Sequence, residues 1–262
     1  MRKPILTLTT DFGTKDHFAG VMKGVILGIC PNVDIIDITH EVDPFEISEG
    51  AYVIAQAYRF FAPKTVHVVV VDPGVGSARR PILVEAGGQF FIGPDNGVLA
   101  MVYSKVAHKA RAITNDKYFL QPVSRTFHGR DIFAPSAAHL ANGARPSTFG
   151  KLIDDHLKPA FTEPQRIAKR VWVGTVLHID RFGNLITNLH IDSFSDVRVK
   201  PFELAIGTQI LRRLGLTYAE IEPGQAFAIV GSSGYIEIAT NQASAARALG
   251  CGVGAPCELT IA

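Results

Sequence analysis

Residues 66–71 read Val-His-Val-Val-Val-Val, a nearly unbroken β-branched run. Such a run suits a strand covered on both faces, in a sheet flanked by helices. The neighbouring sequence supplies those elements. Ile5–Thr9 is a short β-rich run. Phe18, Val21, Met22, Val25, Ile26 and Ile29 recur at intervals of three and four, the spacing of one helix face, and Pro31 ends that pattern. Val33–Ile38 reads as a second strand, and Glu46–Phe61 as a helix entered after Pro44. Strand, helix, strand, helix, strand predicts a parallel sheet with right-handed crossovers. Ile82–Ala86 and Gln89–Ile92 flank Gly87-Gly88 as a hairpin, and Asp131–Asn142 reads as a further helix.

From Val171 the pattern changes. Val171–Ile179, Leu185–Ile191, Phe202–Ile206, Phe227–Val230, Tyr235–Ala239 and Cys257–Ile261 are short β-forming runs separated by Gly, Pro, Asp and Asn. They predict a small antiparallel barrel or sandwich, with minor helical interruptions at Gln209–Leu214 and Gln242–Leu249. The expected division is therefore an α/β domain over 1–160, a linker over 161–170 and an all-β domain over 171–262. A chain of 262 residues, 47% hydrophobic, can furnish two such cores.

Composition removes several function classes. The 26 basic residues nearly balance the 24 acidic ones and form no block, so nucleic acid and anionic membrane are not expected partners. Three cysteines, Cys30, Cys251 and Cys257, make an odd set without motif spacing, which points to a reducing cytoplasm rather than a disulfide framework or a zinc ribbon. The N-terminal apolar run reaches Asp11 too soon for a signal-peptide core, and no stretch approaches the roughly 18 uncharged residues of a membrane helix.

Chemistry is expected beyond the carboxyl ends of the parallel strands. Asp11 follows the first strand. Asp72 follows the Val66–Val71 strand and opens a glycine-rich loop carrying Arg79 and Arg80. Thr126-Phe127-His128-Gly129-Arg130-Asp131 leads into a helix. One strand-end carboxylate is commonly a turn former or a cap. Two of them on neighbouring strands, with arginines and a histidine, point to a site. The other histidines follow no metal-ligand spacing, and Gly74 and Gly76 fit neither GxGxxG nor GxxxxGK[ST]. In the second half, Asp180–Asn184 and Ser232–Glu237 are polar turns that composition alone assigns to hairpins.

Six segments change that balance: TTDFG, VDPGVGS-x-RR, FIGPDNG, TFHGRDIFAPSAAHLA, D-R-FGN-x-x-TN and SSGY-x-E-I-A-x-N, in this order. Together, across both halves, the chain resembles the S-adenosyl-L-methionine (SAM) hydroxide adenosyltransferases, the adenosine-forming SAM hydrolases related to fluorinase and chlorinase. The resemblance implies a Rossmann-like, mostly parallel N-terminal domain and a C-terminal antiparallel β-barrel. It implies a homotrimer with SAM held between the N-terminal domain of one subunit and the C-terminal domain of its neighbour. SAM is then substrate, with no cofactor and no metal. Asp72, Arg79 and His128 match the family's water-activating set, and Asp11 the carboxylate that grips the ribose. Phe45 matches an aromatic beside the ligand. Phe182 and Asn184 match adenine or methionine contacts, Asp180, Ser232 and Glu237 partners of the amino-acid group, and Thr240 a stretch passing close to adenine. The halogenating relatives carry a tyrosine where this chain has Asp72, a threonine at Val75, and a serine in the loop where it has Phe127-His128-Gly129. Those differences favour water as nucleophile. A chlorinase, a metal-dependent hydrolase using Asp11, Asp16, Asp72, His128 and Asp131, and a non-catalytic adenosine or SAM sensor are the alternatives.

Overall fold

The computed structural model describes residues 3–262. The chain forms two compact units that divide between Pro159 and Ala160. It is a mixed α/β protein with one large sheet in each unit.

The first unit contains β1 (Ile5–Thr10), α1 (Phe18–Ile29), β2 (Asp34–Thr39), α2 (Ile47–Ala57), β3 (Val66–Val70), β4 (Pro81–Ala86), β5 (Gln89–Pro94), α3 (Ala100–Tyr103), β6 (His108–Ala112), α4 (Ala134–Ala141) and β7 (Leu152–Ile153). The strand order is β2-β1-β3-β5-β4-β6-β7. β2, β1, β3 and β5 run parallel, whereas the β5–β4, β4–β6 and β6–β7 pairings are antiparallel. The sheet is thus mixed rather than mostly parallel. The cause is the Gly87-Gly88 hairpin, whose positive φ values of 57° and 76° turn β4 back onto β5.

Every residue of β3 is buried, as its β-branched run predicts. Val66, Val68 and Val70 face a core built with Met22 and Ile26 of α1 and Ala134, Ala137 and Ala138 of α4. On the other face α2 approaches so closely that a Cβ on Gly50 would lie 2.9 Å from Val71 Cγ2. The one polar residue in the run, His67, is fully buried. Its Nδ1 meets Thr7 Oγ1 at 2.7 Å and its Nε2 meets Gln89 Oε1 at 2.5 Å. The Gln89 amide nitrogen is committed to the Tyr58 and Phe61 carbonyls, so Gln89 Oε1 accepts and His67 donates from Nε2.

The second unit contains β8 (Gln165–Ala168), β9 (Val171–Ile179), β10 (Leu185–His190), β11 (Phe202–Ile206), β12 (Gln209–Leu211), β13 (Leu214–Gly215), β14 (Ala226–Val230), β15 (Tyr235–Thr240), α5 (Ala245–Leu249) and β16 (Pro256–Ile261). Its path is β12-β11-β16-β9-β10-β15-β14-β13, antiparallel except for β13 with β14, and β8 joins β9. The sheet curls around a core that includes Val176, Leu185, Leu204, Ile238 and Leu259.

Two further expectations differ from what is seen. The 161–170 stretch, read as a linker, contains β8, because Gln165–Ala168 completes hydrogen bonds along the edge of β9. Gln209–Leu214, read as helical, is extended: Gly207 at φ 54° turns the chain so that β12 pairs back on β11. The helix over Glu46–Phe61 is α2 followed by a single tight turn at Tyr58–Phe60.

Burial holds the His67 pKa down at about 4, against 6.5 for an exposed imidazole. A histidine kept neutral by the fold stabilises it fully above pH 6.5, and that contribution is lost as pH falls toward 4. The loss is about 3 kcal/mol. Denaturant unfolding of the wild type should show this decline between pH 6.5 and 4, and His67→Gln should flatten it; an equally steep decline in the variant contradicts the assignment.

Candidate active site

The chain passes from β1 outward to β2 and then back across β1 to β3, so connections leave the sheet in opposite directions between β1 and β3. A crevice forms at such a reversal, beyond the carboxyl ends of the strands. Thr10 and Val70 are paired at those ends, which puts Asp11 and Asp72 at neighbouring positions above the sheet. Both line a cavity of about 270 Å³ with Phe12, Phe18, Pro44, Phe45, Val75, Thr126, Phe127 and His128. Phe18 and Phe127 meet edge to face at 5.1 Å, and Phe12 lies 5.9 Å from Phe127, giving the cavity an aromatic wall.

Asp11 Oδ2 accepts the Phe45 backbone N–H at 3.0 Å. Phe45 stands at φ 73°, a left-handed conformation that costs a non-glycine residue roughly 1–3 kcal/mol, and the residue is 69% exposed. Burial raises the Asp11 pKa above the ordinary carboxylate value. The Phe45 N–H opposes that rise, and repulsion from Asp72 adds to it.

Asp72 and His128, both on the wall of this cavity, are joined through Arg79 behind it. Arg79 Nε donates to Asp72 Oδ1 at 2.9 Å, Arg79 Nη2 donates to Asp72 Oδ2, and the same Nη2 lies 2.8 Å from His128 Nδ1. The Asp72 and Arg79 side chains are only 5% and 9% exposed. A guanidinium has donors and no acceptor, so His128 Nδ1 must present a lone pair and the ring proton must sit on Nε2. His128 is therefore neutral here. Burial first, and the Arg79 charge second, hold its pKa below the ordinary histidine value. Arg79 Nη1 is buried and has no partner among the described residues.

Local packing brings the two loops together. A Cβ on Gly76, which stands at φ +76°, would fall 2.2 Å from the Arg125 carbonyl oxygen, so the 72–80 loop rests directly on the segment leading to His128. Arg80 points elsewhere and pairs with Asp95 and Asp155. Asn96, in the FIGPDNG segment, donates to the Val71 carbonyl at 2.8 Å, just before Asp72.

A second cavity, of about 980 Å³, lies in the second unit and is lined by Asp180, Phe182, Asn184, Tyr218, Thr240, Gln242, Ser244 and Arg247. Asp180 organises its turn: Oδ1 accepts the Phe182 and Asn184 backbone N–H groups at 2.9 Å each, and Oδ2 accepts Asn184 Nδ2 at 2.8 Å. Gly183 has φ +86°, and a Cβ there would lie 2.1 Å from Ser244 Oγ, so the turn packs against the entry to α5. Phe182 is 77% exposed. Glu237 is buried beside Asp180 and Tyr218. Burial, then Asp180, raises its pKa to about 7, while the Tyr218 hydroxyl lowers it by hydrogen bonding. Ser232 is exposed on the turn between β14 and β15.

The structure thus gathers Asp11, Phe45, Asp72 and His128 around one cavity, with Arg79 joining Asp72 to His128, and Asp180, Phe182, Asn184 and Thr240 around the other. Sequence reasoning did not single out Phe12, Phe18, Tyr218, Ser244 or Arg247. Phe18 carried only the helix-face signal, and Tyr218 stands in a segment without motif or periodicity. Among the described residues no group of three or more His, Cys, Asp or Glu side chains is placed to hold a metal ion, and no helix is long and apolar enough to cross a membrane.

Comparison with known proteins gives this arrangement a class. The fold matches the crystal structure of an uncharacterized conserved protein from Thermotoga maritima, with a TM-score of 0.87 and 36% identity, covering 98% of this chain and 99% of that one. Residues 6–150 match the SAM hydroxide adenosyltransferase N-terminal domain and residues 174–258 the C-terminal domain of the same family. The chain belongs to the SAM hydroxide adenosyltransferase family. Proteins named (R)-S-adenosyl-L-methionine hydrolase, from Salinispora tropica and Methanocaldococcus jannaschii, are each 37% identical to it. The alignments cover 94% of this chain in both cases, and 94% and 91% of those proteins. Fluorinases lie further off, that of Actinoplanes sp. strain N902-109 at 29% identity over 92% of each chain.

The Glu237 environment is directly testable. Its carboxyl carbon should titrate near pH 7 by NMR, and Tyr218→Phe, which removes the hydroxyl donor, should move that midpoint upward. A midpoint near 4.5 in the wild type, or no movement in the variant, contradicts the geometry.

Proposed function

We propose that this chain hydrolyses S-adenosyl-L-methionine at the ribose 5′-carbon, releasing adenosine and L-methionine. The observation that carries the reading is the Asp72–Arg79–His128 chain, closed by hydrogen bonds in the Asp11 cavity of a chain that belongs to this family. Water attacks C5′ in line with the C5′–S bond. The bonding pair leaves with sulfur, and the sulfonium becomes a neutral thioether. Because the leaving group is neutral, its departure develops no negative charge that would call for a metal or other cofactor.

Each residue has a role in that reaction. Asp11 takes the ribose hydroxyls. Asp72 keeps a second lone pair on each oxygen while Arg79 occupies the first, so it can accept a hydrogen bond from the attacking water. As the C–O bond forms, the attacking oxygen becomes strongly acidic, and even a carboxylate paired with arginine suffices to take its proton. His128 holds the guanidinium through its Nδ1 lone pair; for the imidazole itself to take the proton, Arg79 would first have to release it. A carboxylate that accepts from water is an unfavourable neighbour for a halide, which separates this site from a chlorinase or fluorinase.

Phe45, Asp180, Phe182, Asn184, Ser232, Glu237 and Thr240 are assigned to the adenine and methionine ends of the substrate. In this reading the N-terminal unit has a Rossmann-like core and the C-terminal unit a β-barrel. The protein works as a cytoplasmic homotrimer in which SAM spans the first unit of one subunit and the second unit of its neighbour. The reading is supported by the presence of Asp11 with the Asp72–Arg79–His128 chain in one unit and of Asp180, Phe182, Asn184 and Thr240 in the other, each with an exposed phenylalanine, Phe45 or Phe182, beside its cavity.

Incubation with SAM and excess chloride should give adenosine and methionine and no 5′-chloro-5′-deoxyadenosine, with no inhibition by a chelator. Asp72→Asn and His128→Ala should each lower kcat about 10²–10⁴-fold with little change in KM. Asp11→Ala should act mainly on KM. Unchanged turnover in His128→Ala removes that residue from the mechanism.

A further inference from the structure

The FIGPDNG segment has no part in the reaction scheme, yet two of its residues hold the two ends of the loop that carries Asp72 and Arg79. β5 pairs with β3 from Val66 to Val68. Beyond that ladder a side chain replaces the strand N–H: Asn96 Nδ2 donates to the Val71 carbonyl at 2.8 Å. Val71 is fully buried, so its carbonyl depends on a protein donor. Asn96 Oδ1 accepts the Val98 backbone N–H at 3.1 Å, so the amide cannot turn over without losing both bonds.

The far end of the loop is Arg80, and Asp95 holds it. The Asp95 backbone N–H donates to the Arg80 carbonyl at 2.8 Å. Asp95 Oδ2 accepts Arg80 Nε at 3.1 Å and Nη2 at 2.7 Å. The Asp95 side chain is only 6% exposed, and its other oxygen accepts the Leu157 N–H at 2.9 Å. Both oxygens are therefore in use, which fixes the carboxylate against Arg80. Backbone bonds inside the loop are local, Val75 N–H to the Asp72 carbonyl and Ser77 N–H to the Gly74 carbonyl. The loop thus begins against Asn96 and ends against Asp95, two consecutive residues.

We propose that Asp95 and Asn96 are positioning residues for hydrolysis: as neighbours on one segment they fix the ends of the 72–80 loop relative to each other, and so keep Asp72 in the fork of Arg79. The kinetic consequence rests on the hydrolase reading, and the structural one does not.

Asn115 supplies a control. Its Oδ1 also accepts the N–H two residues on, from Lys117, and its Nδ2 donates to the Thr148 carbonyl at 2.8 Å, in a loop that carries no residue of the site. Asn96→Ala and Asn115→Ala therefore remove the same pair of bonds. In the full-length protein, with folding checked by circular dichroism, Asn96→Ala should lower kcat roughly 10²-fold with KM nearly unchanged, the scale of a misplacement of about 1 Å at a reacting centre. Asn115→Ala should keep wild-type kcat. ¹H–¹⁵N NMR without substrate should show a slowly exchanging Arg79 Nε–H in the wild type and in Asn115→Ala, and its loss in Asn96→Ala. Arg80→Lys, which keeps the charge beside Asp95 but not the fork, should change kcat and exchange in the same direction. A folded Asn96→Ala that keeps either the wild-type kcat or the slow exchange overturns the proposal, as does an equal loss of kcat in Asn115→Ala. If Asn96→Ala does not fold, Arg80→Lys decides by the same two readings. A wild type that does not hydrolyse SAM overturns the hydrolase reading, and the exchange measurement then judges the positioning role alone.

Discussion

The site depends on one buried ion pair. Arg79 is almost fully removed from solvent, and its charge is tolerable there because Asp72 accepts two of its donors in a fork that matches the carboxylate. Removing either partner would leave an uncompensated buried charge, a cost of about 3–5 kcal/mol. The same guanidinium fixes the protonation of the third member. His128 Nδ1 can meet it only as a lone pair, so the imidazole is held neutral and its proton assigned to Nε2. The carboxylate, the cation and the neutral base are thus set by each other.

The fold brings these groups together by means that are mostly backbone. Strand order puts Asp11 and Asp72 at adjacent strand ends, close enough for the charge of one to raise the pKa of the other. Gly76 allows the Asp72 loop to rest on the Arg125 carbonyl, and Asn96 secures the Val71 carbonyl just before the aspartate. The aromatic wall of Phe12, Phe18 and Phe127 limits solvent on one side, which strengthens the electrostatic contacts within. In the second unit Asp180 plays a comparable organising part, because its carboxylate accepts three hydrogen bonds from its own turn. Glu237 beside it carries a raised pKa, first through burial and then through the Asp180 charge.

Much of this was legible in the sequence, and the exceptions are informative. The β3 run identified itself, because five valines in the six positions 66–71 suit a strand covered on both faces. Asp11 and Asp72 could be found because strand-end carboxylates in a parallel sheet have a known place. The equal pair Arg79 and Arg80 could not be divided by reading: Arg80 is drawn away by Asp95 and Asp155, both distant in sequence. Strand β8 was hidden because its four residues are exposed edge positions with no alternating pattern. The mixed character of the first sheet follows from where the Gly87-Gly88 hairpin inserts, with β5 rather than β4 lying beside β3, and periodicity does not encode that choice. Tyr218 matters through its effect on the Glu237 carboxyl, distant from it in sequence, which no local signal announces.

The account stands on water as the group that attacks C5′. Turnover of SAM in ¹⁸O-enriched water, followed by mass spectrometry of the nucleoside, examines that step without a variant or a probe. One ¹⁸O atom in the 5′-hydroxyl of adenosine is the predicted result. Adenosine without label, or a nucleoside carrying another group at C5′, would contradict it.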